Sequence, residues 1–353
     1  MNVLSIFKKK RIFQYDLLRA IAIIAVVANH TLTKFYNTES DFIIKEYFNT
    51  FLRFAVPVFL FLSGALYKKN KKIKYLIHKL KRVLVPYLVY FIPSTLYLFW
   101  TYKWPFNDYK LIFSGLILGR DFGYYFIFVI VLIFLLAHFI LQFGQSSKYF
   151  RVLFILSLIA NNIWMSIDEP ISQVLNLRSY NFFNFQLNDT LFYRNPLTWF
   201  TFFAFGLLYQ EIAHKKFTAS AKKIIIFFAA SAFLTYNLMY YFNIGDYAPY
   251  GSIIWAVYSF STIPLLLSIR VKNSKIKKII KYISSISYPI FFLHYFILYA
   301  FMEIEKISQS TFSYWMAPVC FVCSLGGSIL IITIWKNCIS SLRQNKLLIA
   351  RAE

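Results

Sequence analysis

The sequence predicts an all-α membrane protein, a polytopic bundle of about ten transmembrane helices with its N-terminus and C-terminus in the cytoplasm. Three observations predict this fold: an apolar composition, ten apolar segments of span length, and basic loops that alternate along the chain. Of the 353 residues, 59% are hydrophobic and 15% are charged, whereas about a quarter are charged in an average soluble protein. We therefore expect a single transmembrane domain over residues 1–353, located in the cell membrane.

The ten predicted spans follow one another through mostly short loops, and each holds enough apolar residues to cross a bilayer. They are 15–35, 48–67, 84–103, 121–142, 150–167, 197–212, 222–243, 250–269, 283–302 and 313–335. The first apolar run continues as a full span and lacks a small-residue cleavage site, so no cleavable signal peptide is expected.

The basic residues set the predicted orientation. With the N-terminus inside, the cytoplasmic segments carry 28 of the 38 Lys and Arg residues, as the positive-inside rule requires. The net charge of +24 is then a topology signal and a match to anionic lipid headgroups. Membrane lipids are expected partners. Nucleic acid is not, although this charge would suggest it in a soluble protein.

The outer segment from about 168 to 196 is the longest predicted loop, and it mixes aromatic rings with Asn, Asp and Arg. Rings can stack on the apolar faces of a sugar while polar side chains bond its hydroxyls, so the segment suits a carbohydrate. An interfacial belt of aromatic residues would give the same composition. Both interpretations stay open.

The first span contains three ionisable residues, Asp16, Arg19 and His30. Such side chains are costly inside a membrane, so each is a functional candidate. Arg19 and His30 lie about 20° apart around a helix and about 16 Å apart along it. This spacing suits an elongated anionic donor entering from the cytoplasm: Arg19 holds phosphate at the mouth, Asp16 orients Arg19, and His30 is the general base further in. The alternatives are a snorkelling Arg19 and a packing His30.

Four segments, in order along nearly the whole chain, carry a family resemblance. The first is Asp16-Leu-Leu-Arg19-Ala, with His30 further along the same span. The others are Phe54-Ala-Val-Pro-Val-Phe-Leu-Phe-Leu-Ser-Gly64, Lys79-Leu-Lys-Arg82-Val-Leu-Val-Pro86-Tyr87 and Ser284-Ser-Ile-Ser-Tyr288-Pro-Ile-Phe-Phe-Leu-His294. Together they resemble the membrane acyltransferase-3 family. The Gly123-Tyr-Tyr-Phe segment and the stand-alone layout resemble its intercellular-adhesion branch, which modifies poly-N-acetylglucosamine.

The resemblance implies an enzyme, an O-acyltransferase that moves an acyl group, usually acetyl, from cytoplasmic acyl-CoA to a hydroxyl of an extracytoplasmic or lipid-linked polysaccharide. It implies His30 as catalytic base and Arg19, Arg82 and Lys79 as contacts of acyl-CoA, which is a donor substrate and not a permanently bound cofactor. The family's Arg-x-x-Arg reads Lys79-x-x-Arg82 here, and lysine cannot make the bidentate phosphate contact of arginine. Polysaccharide synthase subunits are further candidate partners.

The acceptor side of the reaction is predicted from other polar residues in the spans. His294 assists His30 or binds the acceptor, unless it is a packing histidine. Arg53 contacts an anionic acceptor or snorkels to outer headgroups. Donors to the developing oxyanion are expected on facing helices, and the candidates are Asn29, Ser63 and Tyr288.

The sequence also bears on a metal site and on one alternative function. A metal site is not expected, because the five histidines show no H-x-x-x-H spacing. A polysaccharide or lipid-linked sugar transporter without acyl transfer is the alternative, because it too would have buried charges and a sugar-binding outer face. The sequence shows no pair of interrupted helices at matching places in two halves, the pattern typical of such transporters.

Overall fold

The computed structural model describes residues 11–35, 39–68, 72–102, 109–119, 123–174, 181–182, 185–186, 195–212, 218–242, 251–308 and 316–352. The helices, numbered in chain order, are α1 Phe13–Phe35, α2 Glu39–Leu52, α3 Ala55–Ala65, α4 Ile73–Tyr102, α5 Tyr109–Leu118, α6 Tyr125–Ile140, α7 Ser147–Val174, α8 Pro196–Ile212, α9 Ala219–Tyr241, α10 Ile253–Leu267, α11 Ser274–Ser308 and α12 Met316–Ala352. Between α7 and α8 lie two short antiparallel strands, β1 Asn181–Phe182 and β2 Phe185–Gln186.

Seven helical stretches within these ranges are long and apolar enough to cross a membrane. They are Phe13–Leu32, Lys45–Ala65, Ile73–Thr101, Ser147–Ser166, Ala219–Tyr241, Ser274–Ile304 and Met316–Leu342. Helices α6 and α10 are also apolar but shorter, at 16 and 15 residues. The prediction of an all-α, polytopic membrane bundle is confirmed, and the chain is a multi-pass membrane protein.

Several helix boundaries differ from the predicted spans. The predicted second span, 48–67, is two helices, because the chain turns at Arg53 and Phe54 between α2 and α3. Pro57 lies in the first turn of α3, where its missing N–H costs no helical hydrogen bond. Helix α5 falls inside a predicted loop. Helix α4 begins well before the predicted edge, since its basic N-terminal part is helical too.

The chain divides into two compact units. The first consists of Met1–Ala55 and Ile263–Glu353, and within it α1 packs against α2, α11 and α12. One stripe of α1 is fully buried, and its members are Leu18, Ala22, Ile23 and Val27. These positions recur at helical spacing, so they fix the face that α1 turns towards its neighbours.

The second unit is Val56–Thr262. Within it α7 packs along α8, and α6 packs against α4, α5 and α8. Its core is rich in aromatic side chains, among them Tyr67, Phe134, Trp199, Phe203 and Trp255. Ring edges meet ring faces repeatedly in this core, as in the pair of Trp199 and Trp255 at 5.3 Å and 84°.

Helix α3 crosses α8 at two glycines. A Cβ on Gly64 would lie 2.1 Å from the carbonyl oxygen of Phe203, and one on Gly206 would lie 2.1 Å from that of Phe61. Helix backbones approach this closely only where small residues face each other. The side chain of Gln210 adds to the crossing, since its Nε2 donates to the carbonyl oxygens of Gly64 at 2.6 Å and Tyr67 at 3.0 Å.

Candidate functional site

Three aromatic side chains of the first unit meet where α1 faces α11. His30 is half-buried on α1, and its ring lies 4.7 Å from that of Tyr295 and 5.5 Å from that of His294, centre to centre. The Tyr295 hydroxyl lies 3.0 Å from both Nδ1 and Nε2 of His30, so it can donate to one ring nitrogen or accept from the other. This hydrogen bond restrains the orientation of the imidazole.

His294 and Tyr295 are consecutive on α11, and both are buried. His294 is 0% exposed, and its Nδ1 lies 3.0 Å from the carbonyl oxygen of Ile290, one turn earlier. The two histidine rings are nearly parallel, at 28°. Tyr295, which sequence reasoning missed, is therefore a hydrogen-bonding neighbour of His30 on α11.

Arg19 lies on the same helix as His30. Because α1 runs without interruption from Phe13 to Phe35, the two residues share a face, as the spacing predicts. Arg19 is half-buried. The structure therefore places a cation and an imidazole along one side of α1, about three helical turns apart.

Asp16 is buried at the N-terminal end of α1 and ties this end to α11. Its Oδ2 accepts from Nε of Arg11 at 2.6 Å, and its Oδ1 accepts from Oγ of Ser284 at 2.8 Å. Arg11 also donates to the carbonyl oxygen of Lys281 at 2.9 Å. Among the described residues the carboxylate thus binds Arg11 and Ser284, and its orientation of Arg19 stays a prediction.

This network makes a testable prediction. Ser284→Ala removes a donor to a buried carboxylate, and we expect the free energy of unfolding to fall by about 1.5 kcal/mol or more. The matched control is Ser285→Ala, because Ser285 is exposed and its hydroxyl bonds only within its own helix, to the carbonyl oxygen of Tyr282. Thermal unfolding of the two variants in detergent measures the difference. Equal melting temperatures would contradict the role given to Asp16.

The remaining predicted residues of the first unit lie at different places. Tyr288 is on α11. Its ring lies 6.5 Å from that of Phe291, and the ring of Phe291 lies 6.3 Å from that of His294, centre to centre. Asn29 precedes His30 and is half-buried. Arg53 occupies the turn after α2. Their predicted roles towards acceptor and oxyanion stay predictions.

Ser63, Lys79 and Arg82 belong to the second unit. The hydroxyl of Ser63 donates to the carbonyl oxygen of Phe59 at 2.8 Å, so this bond would have to break before Ser63 could serve an oxyanion. The ammonium of Lys79 lies 5.6–5.7 Å from the centres of three rings, which are those of Tyr67, Tyr75 and Phe134.

Arg82 is exposed one turn further along α4 than Lys79. Of the two cations, Arg82 is thus the more accessible to a ligand from solution, while Lys79 is engaged in cation–π contacts. The prediction that both contact acyl-CoA stays a prediction.

Two other predictions concern ligands. In the part of the chain that the structure describes, no group of three or more His, Cys, Asp or Glu could hold a metal ion. The sugar-binding prediction for 168–196 falls mostly on residues outside the described ranges.

Comparison with known proteins gives one family. The model of acyltransferase family 3, described as an acyltransferase domain, matches residues 12–335. A protein of Staphylococcus aureus strain MRSA252, described as a probable poly-beta-1,6-N-acetyl-D-glucosamine export protein, is 23% identical over 303 residues, 80% of this chain and 81% of the relative. Proteins with the same description from strains MSSA476 and MW2 are 24% identical over 305 residues, with the same coverage. No solved structure matches.

Proposed function

The chain belongs to the acyltransferase-3 family, and from this premise we propose that it is an integral membrane O-acyltransferase for a cell-surface or lipid-linked polysaccharide. The donor is cytoplasmic acyl-CoA, with acetyl as the first acyl group to test. The observation that carries the proposal is the imidazole of His30, held by the hydroxyl of Tyr295 and preceded on the same helix by Arg19. This arrangement supplies a base and a cation to one elongated ligand.

In the proposed reaction His30 acts as general base. One of its ring nitrogens takes the proton of the acceptor hydroxyl as that oxygen attacks the carbonyl carbon of the thioester. A new C–O bond forms, the C–S bond breaks, and the departing CoA thiolate takes the proton back from the imidazolium.

The hydroxyl of Tyr295 serves this base in both of its states. It donates to the ring while His30 is neutral, and it accepts from the ring once His30 is charged. Since Tyr295 is buried on α11, the hydrogen bond holds the imidazole in one orientation relative to the helix face that also carries Arg19. Orientation of this kind is what makes a positioned base effective.

The donor is proposed to bind through cations. Arg19 would contact a phosphate of CoA with charge-assisted hydrogen bonds. Exposed basic residues just before and early in α4, within the predicted cytoplasmic surface, would attract anionic ligands to that surface, and they are Lys72, Lys74, Lys81 and Arg82. These charges support an acyl-CoA donor over a neutral acyl donor.

The proposed class of acceptor comes from the description of the relatives. Their description concerns poly-beta-1,6-N-acetyl-D-glucosamine, so we propose a polymer of amino sugars as the first acceptor to test. A polysaccharide synthase in the same membrane would be the natural partner, because it makes the chain that this enzyme modifies.

A second candidate function comes from the same description, which calls the relatives export proteins. In this alternative the chain moves the polysaccharide across the membrane without acyl transfer. Such a transporter has no reason to bind CoA, so donor binding separates the two functions.

The experiment measures release of free CoA by the purified protein in detergent, with acetyl-CoA as donor and poly-N-acetylglucosamine oligomers as acceptor. We expect Arg19→Ala to raise the KM for acetyl-CoA about ten- to a hundredfold, because one charge-assisted contact to phosphate is lost. Arg270→Ala is the matched control, since Arg270 is an exposed arginine of the same unit. If the protein binds no acyl-CoA and Arg19→Ala still supports polysaccharide export in cells, the transporter replaces the enzyme.

A further inference from the structure

Helices α1 and α11 lie side by side and run in the same direction. Three contacts in matching order along the two helices show this, and they are Phe13 with Lys277, Asp16 with Ser284, and His30 with Tyr295. On α11 the three partners are seven and eleven residues apart, a spacing that puts them on one face of a helix. This face of α11 therefore follows α1 from its first turn to the level of His30.

Basic side chains gather at the N-terminal end of this helix pair. Lys277 and Lys281 are one turn apart on the face of α11 that follows α1, and Nη2 of Arg11 donates to the carbonyl oxygen of Lys281 at 2.9 Å. The carboxylate of Asp16 does not cancel these charges, because it is 3% exposed and already accepts from Arg11. The sequence has no Asp or Glu from residue 247 to residue 302. The N-terminal end of the α1–α11 pair is therefore an attractive surface for an anion.

The two lysines are placed so that an anion can reach their ammonium groups. Lys281 is exposed and Lys277 is half-buried. The ammonium of Lys277 lies 5.9 Å from the centre of the Phe13 ring. This ring covers one side of the ammonium, whose three N–H donors point in different directions, so Lys277 can also donate away from the ring.

We propose that Lys277 and Lys281 bind the 3′-phosphate of acyl-CoA at the N-terminal end of the α1–α11 pair. The inference rests on the proposed function, in which the thioester lies at His30 and Arg19 contacts a phosphate further along the donor. A phosphate monoester carries a charge of about −1.5 to −2 at pH 7, so it is a strongly charged group for lysine to recognise. The site makes the enzyme selective for donors that carry the complete nucleotide of CoA.

The order of groups along the donor matches the order of side chains along the helices. In CoA the diphosphate follows the pantetheine arm, and the 3′-phosphate lies beyond it on the ribose, at the end opposite the thioester. On α1, Arg19 lies between His30 and the first turn, and it is about 9 Å along the axis from Phe13, which contacts Lys277. An extended donor with its thioester at His30 and its diphosphate at Arg19 thus directs its 3′-phosphate towards the two lysines.

The first experiment compares two donors on the wild-type protein in detergent. Equilibrium binding is measured without an acceptor for acetyl-CoA and for its 3′-dephospho analogue, which lacks only the proposed ligand group. We expect the analogue to bind about tenfold more weakly, because two exposed charge pairs of modest strength are lost together.

The second experiment removes the lysines instead of the phosphate. The double variant Lys277→Gln, Lys281→Gln is expected to bind acetyl-CoA about tenfold more weakly and the 3′-dephospho analogue as the wild type does, because the two changes remove the same interaction. Lys275→Gln is the matched control, since Lys275 is exposed on the same helix and about 160° around it from Lys277. It is expected to change neither affinity. Melting temperatures establish that each variant is folded.

The possible failures are distinguishable. Equal binding of the two donors by the wild type, or an equal loss of both donors in the double variant, would overturn the inference and leave the acyltransferase in place. The same holds if the double variant binds both donors normally and loses only a thermal stabilisation by added phosphatidylglycerol, because the lysines would then serve lipid headgroups. A wild-type protein that binds neither donor would remove the proposed function, and the 3′-phosphate site with it.

Discussion

Acyl transfer is expected to fall by about a hundredfold to ten-thousandfold when His30 is replaced by alanine, which is the range that a positioned general base contributes. The variant has no group to take the hydroxyl proton, and the hydroxyl of Tyr295 loses its partner on α1. Binding of acyl-CoA is expected to survive, because Arg19 lies about three turns away on the same helix. Release of free CoA and equilibrium binding of acetyl-CoA measure the two effects separately.

The matched control for this variant is His78→Gln. His78 is an exposed histidine on α4, and no catalytic role is assigned to it. It is expected to leave kcat unchanged. An active His30→Ala protein, or equal losses in the two histidine variants, would show that the ring cluster between α1 and α11 is not the catalytic centre.

Much of this site is readable from the sequence, but one partner is not. The eleven-residue spacing on an uninterrupted helix is enough to place Arg19 and His30 on one face. Tyr295 follows His294 directly, and neighbours in a helix point about 100° apart, so no pattern tells which of the two reaches α1. The signal available was the adjacent pair of polar rings within an apolar span, which is costly unless the rings find partners.

The position of Asp16 illustrates a second limit. Helical spacing alone pairs Asp16 with Arg19, three residues later. The structure pairs it with Arg11 and Ser284, one before the helix and the other on α11. Spacing rules count only neighbours within the same helix, whereas a buried carboxylate binds whichever donors tertiary packing brings to it.

The fold was predicted well at the level of spans and less well within them. Apolar runs of span length identify a membrane helix because lipid offers no partner to the backbone. They carry no information on a break such as that at Arg53 and Phe54, where α2 ends and α3 begins. Pro57 was the visible signal, since proline favours the first turn of a helix.

The largest effect on stability is expected where α3 crosses α8. A Cβ at Gly64 or Gly206 would lie 2.1 Å from a backbone oxygen of the other helix, which cannot move as a flexible side chain could. We expect Gly64→Ala and Gly206→Ala each to lower the free energy of unfolding by about 3 kcal/mol or more, at the upper end of overpacking. Separating the helices would also stretch the hydrogen bonds from Gln210 to the end of α3. Thermal unfolding and the yield of monodisperse protein in detergent report the loss.

The same substitution elsewhere in the chain separates crowding from backbone effects. A Cβ at Gly326, on α12, would meet no atom within 4 Å, so Gly326→Ala is expected to leave stability unchanged or raise it by up to about 1 kcal/mol through helix propensity. If Gly64→Ala and Gly206→Ala have the same melting temperature as Gly326→Ala, helices α3 and α8 do not approach as closely as described. If only the crossing glycines are sensitive, the Ser-Gly that ends the second motif is there for close helix packing, and its glycine needs no role in the chemistry.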